Sequence, residues 1–300
     1  MVERIILRKI KNSEELTLDK VSTPDYILGN VDWGSVKGTH HTYKYVNQTG
    51  ASITNTSLET REVSIEGWIV AKNEAHMTSL KMRLNAFINP QEEMELYYSD
   101  YKINFMPDES VKYSVNTAEN NDVFCKFKIQ GTCPNPLFSD DVESRLAFIE
   151  TAASFHFPLI MSRDYEDGGV VFGKRTESLI ANIHNKGAIP VGLRIVFKAN
   201  GTVKNPSLVN ITTQEKFTID KTLVDGEEIE INTSIGEKSV KGKIGISEYV
   251  NYFMYKNLDS PWIQLETGDN LFGYEADEGA DNLDVFIYHY NRYLEVQGCY

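Results

Sequence analysis

A hydrophobic period of two residues, repeated in short segments, is the sequence feature that most constrains the fold of this chain. Residues 123–130 alternate Val, Cys, Phe and Ile with Phe, Lys, Lys and Gln, and residues 62–70 place Val, Ile, Gly and Ile at every second position. This period puts successive side chains on opposite faces of a strand, so each segment predicts a strand with one buried face. The chain is therefore expected to be mainly β.

The alternation stops in the stretch from Gln130 to Phe138, which contains two prolines within three residues. Pro134 and Pro136 have no backbone N–H and keep the residues before them out of helical geometry, so neither a sheet ladder nor a helix passes through them. A short, stiff connector of this kind predicts a domain joint, and a length of 300 residues also favours about two domains. The expected division is 1–133 and 134–300.

The first domain is predicted to be mainly β with one helix. Residues 5–7 and 16–18 have the strand period and predict an antiparallel hairpin. From Asn73 to Asn89 the apolar residues change to helical spacing, which predicts a helix that Asn73 caps and Pro90 follows. This helix is expected to pack on the sheet rather than to hold a cofactor.

Between the hairpin and the central strand, Tyr26 to Thr49 is rich in Gly and Asn and has no helical periodicity. It is predicted to be a long irregular loop or arm, and such loops in compact domains usually have a function.

The second domain is predicted to be all-β, a sandwich or jelly roll, because short strand patterns alternate with Gly, Asn and Asp turns. The predicted strands are Leu146–Ile149, Gly169–Phe172, Ser178–Ile183, Val191–Phe197, Ser207–Ile211, Phe217–Ile219, Glu228–Ile231, Val240–Lys243, Ile263–Leu265, Leu271–Tyr274 and Leu283–Leu294.

Charge and composition exclude several classes of partner. A net charge of −13 argues against nucleic-acid binding, which needs clustered Lys and Arg. No apolar run is long enough for a membrane helix, and charges interrupt the first ten residues, so a soluble protein that folds in a cytoplasm is expected. The three cysteines, Cys125, Cys133 and Cys299, form no metal or disulfide pattern and are predicted to be free thiols.

No catalytic motif is found, and no cofactor is expected. The densest acidic group in a strand context, Asp225 with Glu227, Glu228 and Glu230, is more typical of a solvated hairpin edge than of a glycosidase pair. Residues 266–284 carry several carboxylates without the ordered spacing of a calcium loop. His40 and His41 are adjacent and point apart on an extended chain, which is poor geometry for one metal.

The aromatic residues of the second half suggest a contact surface. Tyr249, Tyr252, Tyr255 and Trp262 lie close together in the sequence, and exposed rings on a β-sandwich stack on sugars or on protein partners. Packing in the core is the alternative interpretation.

The order of these motifs resembles that of the siphophage distal tail proteins, the phage tail component family. The resemblance rests on the strand at 64–70, the helix after it, the strands with Tyr97-Tyr98, and the joint at 133–138. In the second half it rests on residues 185–190, 205–213 and 262–270 and on the closing stretch 290–294.

The resemblance implies a structural virion protein without enzymatic activity, located in the tail and assembled in the host cytoplasm. It implies a β-sandwich with a helix and an arm that form a hexameric ring, and a peripheral galectin-like sandwich. The last strand is expected to return to the first domain. The ring is expected to join the tail tube protein to the tail-tip hub or tail-associated lysin, and a receptor-binding protein is a further candidate partner.

On this interpretation the arm reaches a neighbouring subunit, and its candidate contact residues are Tyr26, Trp33, His40, His41, Tyr43 and Tyr45. Contact with nucleic acid or membrane is not expected. The alternative function is a carbohydrate-binding protein that acts at the host cell surface.

Overall fold

The structure is a computed structural model that describes residues 4–21, 25–116, 119–153, 173–177 and 180–296. It divides into two compact units, unit 1 comprising Met1–Val142 with Arg292–Tyr300 and unit 2 comprising Glu143–Asn291. The elements up to Val142 are β1 Arg4–Lys9, β2 Glu15–Asp19, β3 Tyr26–Asp32, β4 Gly38–Tyr43, β5 Ser52–Leu58, β6 Arg61–Val70, α1 Glu74–Phe87, β7 Met94–Tyr98, β8 Tyr101–Pro107, β9 Lys112–Tyr113, β10 Phe124–Cys133 and β11 Phe138–Asp140.

The later strands are β12 Ser144–Ala147, β13 Ile149–Ala153, β14 Gly173–Glu177, β15 Ile180–Asn185, β16 Val191–Gly192, β17 Arg194–Ala199, β18 Val203–Lys204, β19 Ser207–Asn210, β20 Glu215–Thr218, β21 Thr222–Leu223, β22 Glu227–Asn232, β23 Ser239–Ile244, β24 Val250–Asn251, β25 Gln264–Leu265, β26 Gly268–Glu275, β27 Leu283–His289 and β28 Arg292–Tyr293. The mainly β class predicted from the sequence is confirmed.

The main sheet of unit 1 closes into a barrel. Its strands follow the order β8-β7-β1-β2-β3-β6-β10, and an additional pairing of β10 with β8 completes the ring. Closure rests on two residue pairs, Gly131 with Pro107 and Thr132 with Met106. The sequence predicted a sandwich for this half. The barrel differs because β10 continues past Gln130 to Cys133 and so reaches β8.

The predicted first hairpin and the predicted helix are both present. β1 pairs with β2 in antiparallel register. In α1 the Asn73 side chain accepts a hydrogen bond from the His76 backbone N–H, and four apolar residues one or two turns apart are buried: Met77, Leu80, Leu84 and Phe87. Because the last turn of α1 has no basic residue of its own, Lys9 of β1 takes that place, with Nζ 3.4 Å from the Ala86 carbonyl oxygen.

The predicted domain joint lies inside unit 1. Pro134 and Pro136 form the turn between β10 and β11, and the structure places the division between the units at Val142 instead. The division lies after the prolines because β11 pairs with strands of unit 1 that are distant in the sequence. Phe138 pairs with Tyr293, and Ser139 pairs with Lys102. The chain returns to unit 1 at Arg292, so the predicted last strand Leu283–Leu294 is divided into β27, which lies in unit 2, and β28, which lies in unit 1.

Unit 2 contains a six-stranded antiparallel sheet, β12-β27-β17-β22-β23-β24, and a four-stranded sheet, β15-β26-β19-β20. Both sheets contribute to one core, in which Ile195 and Ile229 of the larger sheet cluster with Leu208 and Phe272 of the smaller one. This two-sheet arrangement is a sandwich, as predicted. The predicted strand Gly169–Phe172 and Cys299 lie outside the described residues.

The two cysteines that the structure describes, Cys125 and Cys133, are free and buried on the same face of β10. Burial raises the pKa of the Cys133 thiol to about 12. Since only the thiolate reacts, we expect alkylation of Cys133 at pH 8 to be roughly a thousandfold slower than that of an exposed cysteine. Peptide mass spectrometry after a short iodoacetamide pulse measures this rate, with the protein in 6 M urea as the reference. Labelling of Cys133 at equal rates with and without urea would contradict its burial.

Candidate functional site

The stretch predicted to be an irregular arm contains a β-hairpin. β4 and β5 pair only with each other, in antiparallel register from Gly38 opposite Leu58 to Tyr43 opposite Ser52. At its tip the Gln48 side chain accepts a hydrogen bond from the Tyr45 backbone N–H at 3.0 Å. At its base the Glu59 backbone N–H donates to the Lys37 carbonyl oxygen at 2.8 Å. The hairpin, residues 38–58, is thus an ordered ribbon.

The hairpin has no buried residue, yet it carries large apolar side chains. Tyr45, Ile53 and Val46 are 64%, 61% and 93% exposed. The rings of Tyr43 and Tyr45 are in edge contact, with centroids 4.7 Å apart. Exposed apolar area that serves no core is typical of a surface that another protein covers.

Tyr26 and Trp33, two of the predicted arm residues, belong to the core of unit 1. Tyr26 lies in β3 opposite Ile69 and donates a hydrogen bond to the Leu80 carbonyl oxygen at 2.9 Å. Its burial raises its pKa to about 12. Trp33 packs with its ring centroid 5.3 Å from that of Phe138. The irregular loop expected here is therefore wrong for Tyr26–Asp32, and the exposed part of the stretch is the hairpin with His40, His41, Tyr43 and Tyr45.

In unit 2, Tyr252 and Tyr255 are held against the core. Their ring centroids are 5.2 Å apart at an angle of 77°. The Lys221 ammonium lies 5.4 Å from the Tyr252 centroid and 2.8 Å from the buried carboxylate of Glu227. A Cβ on Gly242 would lie 2.2 Å from the Tyr252 ring, so this ring packs directly on the β23 backbone. Both rings are therefore half-buried against the core of unit 2.

Tyr249 and Trp262 are also engaged by neighbouring residues. The Tyr249 hydroxyl donates to Glu228, and the Lys243 ammonium lies 4.4 Å from the Tyr249 centroid. Trp262 lies 5.4 Å from Phe217 and has the Lys256 ammonium 5.5 Å from its ring. Burial lowers the pKa of Lys256. Of the four predicted aromatics, Tyr249 is therefore exposed, whereas Tyr252, Tyr255 and Trp262 are half-buried against the core.

Two exposed apolar residues of this region, Val250 and Met254, were missed by the sequence analysis. The short 3-10 helix Phe253–Tyr255 exposes 49% of Phe253 and 81% of Met254, next to the exposed Val250. No signal in the sequence distinguished these residues from core residues, because the turn has no regular hydrophobic period.

The buried Lys221–Glu227 pair is expected to stabilise unit 2. Lys221→Ala leaves a fully buried carboxylate without its cation, so we expect the free energy of unfolding of unit 2 to fall by about 3–5 kcal/mol. Native-state hydrogen exchange of the β17 and β22 amides measures this loss for unit 2. The control is Lys204→Ala at the exposed Lys204–Glu278 pair, which should lower the stability by less than about 1 kcal/mol. Equal effects of the two substitutions would contradict the assignment.

Several of the acidic residues considered for catalysis or calcium binding are paired with other side chains. Glu228 lies 3.2 Å from Lys243, and Glu230 lies 3.3 Å from Arg194. Asp269 lies 2.9 Å from the His184 Nδ1, and the hydrogen bond with His184 lowers the pKa of Asp269. Within the described ranges no cluster of three or more His, Cys, Asp or Glu side chains could hold a metal ion. Of the helices described, none is long and apolar enough to span a membrane.

Comparison with known proteins agrees with the mainly β fold described above. Residues 12–127 match the model of the phage tail protein RIFT-related domain, and residues 186–293 match that of the siphovirus-type tail component, C-terminal domain. Both models describe parts of siphophage tails, which defines the class of protein. The chain belongs to the siphophage distal tail protein family, and it is a structural component of the virion tail.

Two solved structures show the same fold at low sequence identity. The Dit protein of phage SPP1, described as a paradigm of the hub adsorption apparatus of phages that infect Gram-positive bacteria, aligns with a TM-score of 0.65 and 10% identity over 96% of this chain and 98% of its own. A chain of the phage P2 baseplate in its activated conformation aligns with a TM-score of 0.51 and 10% identity over 97% and 98%. No curated protein sequence matches significantly. These findings favour a tail component over the alternative of a carbohydrate-binding protein.

Proposed function

We propose that the protein assembles into a ring of six subunits that joins the tail tube to the tail-tip hub, and that it has no enzymatic activity. The observation that carries the proposal is the hairpin, residues 38–58. It stands on a barrel that is already complete, and it exposes apolar side chains that its own subunit does not cover.

In the proposed ring each hairpin contacts the next subunit. A head-to-tail interface of this kind uses two different surfaces of each copy and closes when the rotation between copies completes a circle. Exposed Tyr43, Tyr45 and Ile53 are the residue types that contribute most at such interfaces when they become desolvated. The ring would form in the host cytoplasm before it is incorporated into the tail.

Unit 2 is proposed to lie at the periphery of the ring, where it serves as a spacer or as a docking site for a receptor-binding protein. Residues 143–291 carry a net charge of −8, from 14 basic and 22 acidic residues, which suits a solvated outer position. Phe253 and Met254 are the exposed apolar residues that a docking protein would cover.

Size-exclusion chromatography with light scattering, followed by negative-stain electron microscopy, tests the ring. The expected result is a closed ring with a mass of six times 34.1 kDa. A protein that stays monomeric at high concentration and has no affinity for the tail tube or tail-tip proteins of its phage would overturn the proposal.

A further inference from the structure

Unit 1 is assembled from two parts of the chain that are far apart in sequence. Its first part ends at Val142, and its last strand, β28, begins at Arg292, after all of unit 2. We call Arg292–Val296 the return segment. β28 pairs with β11, the Tyr293 hydroxyl donates to Asp140 at 3.0 Å, and Val296 is buried in the core of unit 1.

The return segment supplies the hydrogen-bond acceptors of a buried charge. Arg61, the first residue of β6, is 0% exposed. Its Nη2 donates to the Leu294 carbonyl oxygen and lies 3.2 Å from Glu295 Oε1. Its Nε and Nη1 have no hydrogen-bond partner among the described residues, and its guanidinium lies over the Phe138 ring at 4.8 Å. Without the return segment, this cation would keep no acceptor from the described part of the chain.

Arg61 also lies at the base of the hairpin. It lies two residues after Glu59, whose backbone N–H donates to the Lys37 carbonyl oxygen and so closes the hairpin. In the barrel ladder it stands opposite Cys133, the last residue of β10. The charge that depends on the return segment is therefore adjacent both to the proposed ring contact and to the end of the strand that closes the barrel.

We propose that the return segment is a clasp whose docking makes unit 1 competent for assembly, so that assembly waits until unit 2 has been synthesised, and that Arg61 is the residue that requires it. A buried guanidinium without acceptors is strongly unfavourable, so β6 and the base of the hairpin stay open until residues 292–296 dock. Subunits with an incomplete chain are thereby kept out of the ring. The folding part of this inference stands by itself, and the assembly part rests on the proposed function.

The test compares three shortened chains with the intact protein by hydrogen exchange and light scattering. A chain that stops after Asn291 lacks the clasp, and a chain that stops after Val296 is the matched control that keeps it. The third chain stops after Asn291 and also carries Arg61→Met, which removes the buried charge at similar volume.

The chain ending at Asn291 is expected to lose protection of the β6 and β10 amides by at least a hundredfold and to form no rings, while the β17 and β22 amides of unit 2 keep their protection. The chain ending at Val296 should match the intact protein. In the chain ending at Asn291, Arg61→Met should raise the protection of the β6 and β10 amides at least tenfold over the same chain with Arg61. The reason is that an apolar residue needs no hydrogen-bond acceptor.

Full protection of β6 and β10 in the chain ending at Asn291 would overturn the clasp. An absence of any recovery with Arg61→Met would overturn the role of Arg61. If the intact protein itself forms no ring, the ring proposal fails, while the exchange data still decide whether the clasp exists.

Discussion

A chain in which the hairpin, residues 38–58, is replaced by Asn-Gly is expected to remain monomeric under conditions where the intact chain forms rings. The replacement is compatible with the fold, because the Lys37 carbonyl oxygen and the Glu59 backbone nitrogen are only 2.8 Å apart and a two-residue turn spans such a gap. No buried side chain is lost with the hairpin. Light scattering gives the mass of each chain, and circular dichroism verifies that the barrel is intact.

Point substitutions within the hairpin refine this prediction. Tyr43→Ser and Tyr45→Ser are each expected to weaken subunit association by about tenfold or more, since aromatic residues dominate interfaces. The control is Val115→Ser, which alters an apolar residue of unit 1 that is 97% exposed outside the hairpin. Rings of normal mass from the chain without the hairpin would show that the subunits meet through another surface.

Gly131→Ala is expected to lower the free energy of unfolding of unit 1 by about 3 kcal/mol, the second large effect. A Cβ at this position would lie 2.5 Å from the Met106 carbonyl oxygen and 2.5 Å from two atoms of the Phe105 ring. Gly131 is one of only two β10 residues that pair with β8, so the clash acts where the barrel closes. Native-state hydrogen exchange of the β8 and β10 amides measures the loss.

Gly38→Ala is the matched control, because a Cβ there meets its nearest atom at 3.7 Å, an ordinary contact. It should change the stability by less than about 0.5 kcal/mol. If both glycine substitutions had the same small effect, β10 would have to tolerate a wider separation from β8 than the structure shows.

Local patterns predicted the regular elements well where one face of an element is buried throughout. β6 and β10 alternate buried and accessible residues along their whole length, so their hydrophobic period is visible in the sequence. The same holds for α1, whose buried residues form one stripe. These elements established the mainly β class with one helix.

The sequence did not predict β3 because a bulge interrupts its hydrophobic period of two residues. The register with β6 shifts between Leu28 and Asn30, so the buried positions change from Tyr26 and Leu28 to Val31 and Trp33. Gly29 allows the shift, since a Cβ there would lie 2.9 Å from the Glu66 carbonyl oxygen. When the alternation of buried and exposed residues shifts by one position within a strand, the sequence pattern resembles that of an irregular loop.

The hairpin, residues 38–58, was not predicted from the sequence for a different reason. All of β5 and most of β4 are exposed, so neither strand has a hydrophobic period from which it could be predicted. In unit 2 the sequence pointed to Tyr252 and Tyr255, whereas the exposed residues are their neighbours Phe253 and Met254, because the Lys221–Glu227 pair and Gly242 hold the tyrosine rings inward.

The sequence by itself determined the fold class, the helix, most central strands and, through the order of its motifs, the family. Each of these depends on residues near one another in the chain, whose spacing is directly readable. Only the tertiary structure decided that unit 1 is a closed barrel, that Pro134 and Pro136 lie within it, and that residues 292–296 return to bury Arg61. These features depend on pairings between residues far apart in sequence, which the hydrophobic period of either strand alone does not specify.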